Sequence, residues 1–266
     1  MPTAPIDSAV ELEPVVNMAR QALYRFAALS LLDPRAEARE RLAQIREHPL
    51  LDEAAAVLRD LREAVPPTRS PLERPLADLD PLRVLERLPD SDGEHSAHYE
   101  RTFGLLVSNA CPPYEMEYIP EKLTFQRSNM LADINGYYRA FGLAISEQNP
   151  DRPDHVVLEL EFMAFLIGRE REAGEADDPS RREEWAAICR AAQARFLREH
   201  LAWWTPAFAR LLDHEDPGGF YAAAGEFLAA LIPAERGVLG VETVARPTAP
   251  SSAERPEACE GCELAT

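Results

Sequence analysis

The sequence predicts an all-α protein, a single globular bundle of about nine to eleven helices followed by a disordered C-terminal tail. Apolar residues recur at helical spacing in most segments, whereas the alternating pattern of half-buried strands is scarce. Hydrophobic residues make up 46% of the 266-residue chain, which is enough to bury a large core. We therefore divide the chain into a flexible N-terminus (residues 1–14), a helical domain (residues 15–240) and a disordered tail (residues 241–266).

The N-terminal half contains helices marked by apolar periodicity or by a start signal. Asp33-Pro34 and Asp80-Pro81 each place a capping carboxylate before a proline that suits the first helical position. Ser70-Pro71-Leu72-Glu73 has the spacing of a capping box, although prolines crowd it. A polar break at 89–94 interrupts the pattern. The predicted helices cover residues 15–32, 34–47, 50–64, 81–88 and one or two turns within 98–104.

The C-terminal half is predicted to hold the longer helices. A helix from about Lys122 to Phe141 ends near Gly142, a residue type common after helix ends. Ser180 and Glu183 form a capping box that opens a helix to about His200. The remaining predicted helices are 154–167, 207–212 (capped by Thr205-Pro206) and 218–231, with Pro233 and Gly237 closing the ordered part. From about Arg246 the residues Pro, Thr, Ala, Ser and Glu predominate, as in disordered segments.

The segment 154–167 is predicted to be the central helix, because it is apolar on nearly every side. Asp154 follows Pro153 and is positioned to cap the first turn. His155 and Glu159 are four residues apart and share one face, whereas Glu161 points about 200° away from Glu159. Two interpretations stay open. These polar groups either are satisfied internally, or Asp154, His155 and Glu159 stand at the mouth of a functional groove.

The segment 111–118, Cys-Pro-Pro-Tyr-Glu-Met-Glu-Tyr, is predicted to be a rigid loop, because its two prolines cannot donate backbone hydrogen bonds. Tyr114 and Tyr118 supply rigid contact area, and Glu115 and Glu117 supply negative charge. These are features of a peptide-binding surface. The alternative is that Tyr114 and Tyr118 simply fill the core.

Composition excludes several classes of function. A formal charge of −18 argues against a general nucleic-acid-binding protein and favours encounter with cationic partners. No apolar run is long enough to span a bilayer, and the N-terminus lacks the features of a secretory signal, so we expect a cytoplasmic protein without stable membrane insertion. Four scattered cysteines do not form a disulfide framework. We interpret Cys259-Glu260-Gly261-Cys262 as part of a solvated tail with incidental or weak metal affinity.

No phosphate-binding loop, dinucleotide-binding turn or nucleophile elbow is present in the sequence. His155 and Glu159 have the spacing of half a metal site on a helix, but no third ligand is evident and zinc needs at least three. We predict no catalytic residue, no metal and no cofactor. The alternative is a helical metal-dependent hydrolase that uses His155, Glu159 and Glu161.

Three segments together resemble the TorD/DmsD/NarJ family of redox-enzyme maturation chaperones. They are Tyr-Glu-Arg-Thr-Phe-Gly at 99–104, the loop 111–118, and the Pro-Asp-His at 153–155 that opens a Glu-containing apolar helix. The resemblance spans roughly residues 15 to 235, including helix order. It is greatest to the branch that serves dimethyl-sulfide, ethylbenzene, chlorate and selenate oxidoreductases.

The resemblance implies a non-catalytic cytoplasmic chaperone. It would bind the twin-arginine leader or the apo catalytic subunit of a molybdopterin-dependent oxidoreductase and hold that subunit for cofactor insertion before export. Carboxylates beside an apolar groove suit such a leader, because arginine pairs with carboxylates through bidentate charge-assisted hydrogen bonds. The oligomeric state stays open between a monomer and a weak or domain-swapped dimer. The expected client-binding residues are Asp154, His155, Glu159, Tyr114, Glu115, Glu117, Tyr118 and Phe162.

Overall fold

The computed structural model describes residues 8–61, 70–104, 110–119, 124–146, 151–174 and 178–242. Within these ranges the regular structure is helical, and the one β-type contact is an isolated antiparallel bridge between Tyr114 and His155. The prediction of an all-α protein is confirmed. The helices are α1 (Ser8–Leu31), α2 (Ala38–Arg46), α3 (Leu50–Asp60), α4 (Pro81–Glu86), α5 (Asp92–Phe103), α6 (Thr124–Ala140), α7 (Val156–Gly174), α8 (Pro179–Phe196), α9 (Ala202–Glu215) and α10 (Phe220–Leu239).

Helix α7 occupies the centre of the bundle, as its apolar sequence predicts. It packs between α1 and α8, and α1 also contacts α3 and α10, while α9 packs along α10. Most side chains of α7 from Val156 to Ile167 are buried, and Glu161 is the exposed exception. The core therefore extends continuously from the α1–α7–α8 layer to the α9–α10 pair.

Helix α1 begins at Ser8, seven residues before its predicted start, and includes Pro14. Its Arg20 is fully buried and donates from Nε and Nη2 to the carboxylate of Glu235 on α10, at 2.8 to 3.1 Å. Asn17 and Gln193 accept the remaining guanidinium hydrogen bonds. A buried ion pair whose other groups are also satisfied fixes how α1 and α10 pack together.

Three N-terminal predictions differ from the structure. After the Asp33 cap, a short 3₁₀ turn ends at Glu37, whose φ of 59° separates it from α2, so the predicted helix 34–47 is split. The capping-box spacing at 70–73 opens no helix, because the Glu73 side chain instead pairs with Arg236 at 2.9 Å. Helix α5 begins at Asp92, capped by Ser91, so the predicted polar break is shorter.

The predicted break at Thr205-Pro206 is absent. Helix α8, capped by Asp178 rather than by Ser180, continues through a π-helical turn at Leu197–Leu201 directly into α9. Thr205 does not cap a new helix, because its hydroxyl donates back to the carbonyl of Leu201 at 2.8 Å. Pro206 has no N–H to donate to the preceding turn, and the wider π-turn before it accommodates this missing hydrogen bond. Such π-turns within helices often occur at functional positions.

Helix α10 likewise continues past Pro233, where the sequence predicts its end, to Leu239, and Gly240 follows with a φ of 63°. The last turns are held by long-range ion pairs of Glu235 and Arg236, which outweigh the local preference to stop. The caps at Asp33 and Asp80 and the position of Gly142 (φ 75°) after α6 agree with prediction. The predicted end of the third helix at Ala64, the helix start at Lys122 and the tail with Cys259 and Cys262 lie outside the described residues.

Candidate functional site

The start of α7 is held by the loop 111–118. The N–H of Val156 donates to the carbonyl of Pro113 at 2.9 Å, and the N–H of Val157 donates to Nδ1 of His155 at 3.2 Å. The prediction that Asp154 caps this helix is therefore wrong, since its neighbour His155 does so. The Asp154 side chain is directed to other donors.

Asp154 connects the loop to the helix start. Its carboxylate is fully buried and accepts the N–H of Met116 at 3.0 Å. Arg152 donates to both oxygens, from Nε at 3.0 Å and from Nη2 at 2.7 Å. The backbone carbonyl of Asp154 also accepts a hydrogen bond, from the N–H of Glu115 at 3.0 Å. One carboxylate thus fixes the register between the loop and α7.

Glu117 lies at the edge of this cluster between two arginines. Arg152 Nη1 donates to one oxygen at 3.0 Å and Arg127 Nη2 to the other at 3.2 Å. Arg127 also donates to the carbonyl of Met116. Burial raises the pKa of Glu117, but the hydrogen bond from Arg152 and the charges of Arg127 and Arg152 outweigh it, so that the net pKa is lowered. Glu117 is therefore a carboxylate that is already bound to guanidinium groups.

Tyr114 completes the outer surface. Its ring contacts the ring of His155 edge-on, with centroids 5.1 Å apart, and its hydroxyl donates to Asp151 at 3.2 Å. The guanidinium carbon of Arg152 lies 4.4 Å from the ring centroid, in cation–π geometry. Burial lowers the pKa of His155, against the opposing charges of Asp151 and Asp154.

Glu115 points inward from the same loop and is fully buried. Its carboxylate accepts a hydrogen bond from Nε1 of Trp203 at 2.6 Å and lies 3.1 Å from Nδ1 of His200. The other ring nitrogen of His200 is 3.4 Å from the carboxylate of Asp133. The π-turn brings His200 and Trp203 to this position, and sequence reasoning missed both. The paired tryptophans before Thr-Pro were the available signal.

Glu159 is the third fully buried carboxyl group. One oxygen accepts a hydrogen bond from Nε1 of Trp204 at 3.2 Å, and the other has no hydrogen-bond partner among the described residues. Burial, and then the negative charges of Glu115 and Asp154, raise the pKa of Glu159 well above its ordinary value. Burial and the two neighbouring carboxyl groups therefore favour the protonated, neutral form of Glu159.

Two of the predicted aromatic residues belong to the core. Tyr118 is partly buried with its ring 5.1 Å from that of Trp204. Phe162 is buried among Tyr138 and Phe196, whose ring centroids lie 4.9 and 4.8 Å away. The interpretation that tyrosines fill the core thus describes Tyr118 better than Tyr114.

The loop and the start of α7 bring together seven of the eight predicted site residues, with Phe162 deeper in the core. Direct contact of a client with Glu115, Asp154 or Glu159 would require groups of this chain to move, since all three are fully buried and bound to such groups. The hydrolase alternative gains no support from this arrangement. Glu161 is exposed, and within the described ranges no group of three or more His, Cys, Asp or Glu side chains is placed to hold a metal ion. In the same ranges, no helix combines the length and apolarity needed to cross a bilayer.

Comparison with known proteins identifies several relatives. A selenate reductase assembly chaperone of Thauera selenatis is 37% identical over 117 residues, covering 43% of this chain and 55% of that protein. A TorD chaperone of Photobacterium profundum is 28% identical over 149 residues, covering 56% and 65% respectively. A chlorate reductase assembly chaperone of Ideonella dechloratans is 31% identical over 130 residues, covering 48% and 60%. The chain thus spans less than two thirds of the length of each of these relatives.

These relatives are named as chaperones rather than as catalytic enzymes, in agreement with the predicted absence of catalytic chemistry. TorD proteins and the selenate and chlorate reductase chaperones are among them, which confirms the resemblance proposed from the sequence. A family model described as nitrate reductase delta subunit matches residues 47–210, more than half of the chain. The chain therefore belongs to the nitrate reductase delta subunit family, which includes the TorD and NarJ chaperones.

Proposed function

We propose that this chain is a cytoplasmic assembly chaperone for a molybdopterin-dependent oxidoreductase. It binds the twin-arginine leader or the apo form of the catalytic subunit and holds that subunit for cofactor insertion before export. Family membership and the names of the relatives, which assemble selenate and chlorate reductases, support the assembly role. The net charge of −18 suits a cationic leader.

The observation that carries the proposal is the loop 111–118, which is hydrogen-bonded to the start of α7 and presents an aromatic ring and a carboxylate at its surface. Tyr114, Glu117 and Tyr118 are the partly exposed members of this surface. The ring of the buried His155 packs against Tyr114, and the buried Asp154 keeps the loop in register. A rigid aromatic surface with satisfied neighbours binds a peptide at low entropic cost.

The buried members have a supporting role in this proposal. Glu115 connects the loop to the π-turn through Trp203 and His200, and Glu159 joins the same layer through Trp204. Phe162 fills the core beneath them. A client that moves the loop would therefore also disturb α8 and α9. Binding at the surface would in this way change the packing of the bundle.

Calorimetric titration with twin-arginine leader peptides from molybdoenzymes of the same genome tests the proposal. We expect one leader to bind the wild-type protein, and the same leader with lysines in place of the arginine pair to bind less tightly, since lysine lacks the bidentate fork. Tyr114→Ala should weaken binding about tenfold, as loss of an aromatic anchor does at peptide interfaces. Trp185→Ala is the matched control, because Trp185 is an exposed aromatic side chain outside the site.

The three results separate the parts of the proposal. Failure of every leader to bind the folded wild-type protein would refute leader recognition. Binding that Tyr114→Ala and Trp185→Ala leave equally unchanged would keep the recognition and remove the site from this surface. If the leader with lysines and the leader with arginines bind with equal affinity, the carboxylates of this surface do not distinguish guanidinium from ammonium groups.

A further inference from the structure

Arg152 makes contacts of the kind that the proposed site would offer to a foreign arginine. Its Nε and Nη2 form a bidentate pair with Asp154, and its Nη1 reaches Glu117 at 3.0 Å. Its guanidinium also lies 4.4 Å from the centre of the Tyr114 ring. Two carboxylates and an aromatic face thus surround one planar cation, the arrangement that distinguishes arginine from lysine in recognition.

The position of Arg152 makes it the outer cover of this arrangement. Its side chain retains 37% of its exposure, whereas the carboxylate of Asp154 beneath it retains none. Withdrawing Arg152 would leave Asp154 with the Met116 N–H as its remaining donor among the described residues. A buried carboxylate without a counter-ion is unfavourable, so any departure of Arg152 requires a replacement cation.

We propose that Arg152 is an internal competitor, whose guanidinium occupies the place that an arginine of a client peptide takes. Binding then exchanges one guanidinium for another at Asp154 and Glu117, and no buried charge is left unpaired in the final state. The cation that replaces Arg152 must donate to both carboxylates and lie over the ring of Tyr114, which selects arginine over lysine. This inference rests on the proposed function, because it names how the same surface admits its ligand.

The alternative is that Arg152 is a permanent clamp that holds the loop against α7. The two interpretations predict opposite changes in affinity. Removing a competitor raises the fraction of protein with a vacant site, and the apparent dissociation constant falls in proportion. Removing a clamp loosens the loop, and the apparent dissociation constant rises.

The first measurement requires no client. Arg152→Ala protein is titrated with methylguanidinium, and its melting temperature is followed beside that of the wild type. We expect methylguanidinium to raise the melting temperature of Arg152→Ala saturably, and methylammonium to raise it less. The matched control is Arg195→Ala, because Arg195 also bonds a carboxylate (Glu199) beside a tyrosine ring, but on the exposed surface. If methylguanidinium shifts the melting temperatures of both variants and the wild type equally, the proposed guanidinium site at Asp154 and Glu117 is refuted.

The second measurement is calorimetric titration of the leader that binds the wild type. We expect Arg152→Ala to bind it about tenfold more tightly, equivalent to about 1.4 kcal/mol. Arg152→Lys keeps a positive charge beside Asp154 without the fork, so it should fold even where Arg152→Ala does not. It should also bind more tightly than the wild type, because lysine competes less well. Unchanged or weaker binding by the folded variants would overturn the competitor role.

Failure of this inference is distinguishable from failure of the proposed function. If neither the wild type nor any Arg152 variant binds a leader, leader recognition fails and the exchange fails with it, whatever the methylguanidinium result. If the wild type binds a leader but Arg152→Ala and Arg152→Lys bind it no better, the proposed function stands and the competitor is refuted.

Discussion

Replacement of Glu159 by glutamine tests the electrostatic description of the site. Glu159 is fully buried beside Glu115 and Asp154, and its pKa is raised well above the ordinary value by burial and by those two charges. The folded chain therefore keeps this proton at pH values where the unfolded chain has released it. The stability that the proton contributes is fully present below the unfolded pKa and is lost as the pH rises through the folded pKa.

The magnitude follows from the single proton involved. Where the folded state holds one proton more than the unfolded state, the free energy of unfolding falls by about 1.4 kcal/mol per pH unit. Glu159→Gln removes this pH dependence, because glutamine does not titrate. Its amide oxygen can still accept the hydrogen bond from Trp204. The variant should thus gain on the wild type by about 1.4 kcal/mol for each pH unit between the unfolded pKa of about 4.3 and the raised pKa of folded Glu159. The gain levels off above the pKa of native Glu159.

Urea unfolding followed by tryptophan fluorescence measures this difference, since Trp203 and Trp204 both contact the site. The control is Glu161→Gln, which makes the same substitution at an exposed position of the same helix and tests whether loss of any carboxyl group from α7 changes the pH dependence. Parallel curves for Glu159→Gln and the wild type would refute the argument, because Glu159 would then titrate alike in both states. A change in the denaturant slope would instead indicate an altered unfolded state.

Three further predictions concern the rest of the bundle. Burial lowers the pKa of His95 to about 4. The free energy of unfolding that the neutral imidazole contributes above the unfolded pKa of about 6.5 is therefore lost as the pH falls toward 4. His95→Phe should show less acid destabilisation than the wild type in the same urea assay. Glu235→Met leaves Arg20 buried without its counter-ion and should lower the free energy of unfolding by about 3–5 kcal/mol, whereas the double replacement by methionine should cost clearly less. Gly225→Ala places a Cβ 2.8 Å from the carbonyl oxygen of Ala209 and should separate α9 from α10 at a cost of about 1–3 kcal/mol, seen as a lower melting temperature; an unchanged value would contradict the close packing.

The sequence predicted which segments lie together more reliably than it predicted the contacts of their side chains. The loop 111–118 and the start of the central helix are adjacent in space, in agreement with their assignment to one set of expected client-binding residues. The burial of Glu115 and Glu159 was not predictable, because the tryptophan donors that satisfy them come from a helix about 45 to 90 residues later in the chain. Glu161, by contrast, was expected to point away from Glu159, and its exposure agrees with helical geometry alone.

The all-helical class, the central position of α7 and the caps at Asp33 and Asp80 were determined by the sequence, because periodicity and capping depend on neighbours within a few residues. Only the tertiary structure decided where α8 to α10 continue and which groups the polar side chains contact. Helix α10 passes Pro233 because Glu235 and Arg236 find partners at Arg20 and Glu73, far away in sequence. The Asp154 side chain does not cap α7 as expected, because it too contacts groups outside its own helix. Met116 and Arg152 together offer it three hydrogen bonds, and at this site such contacts outweigh the local preference that a sequence pattern records.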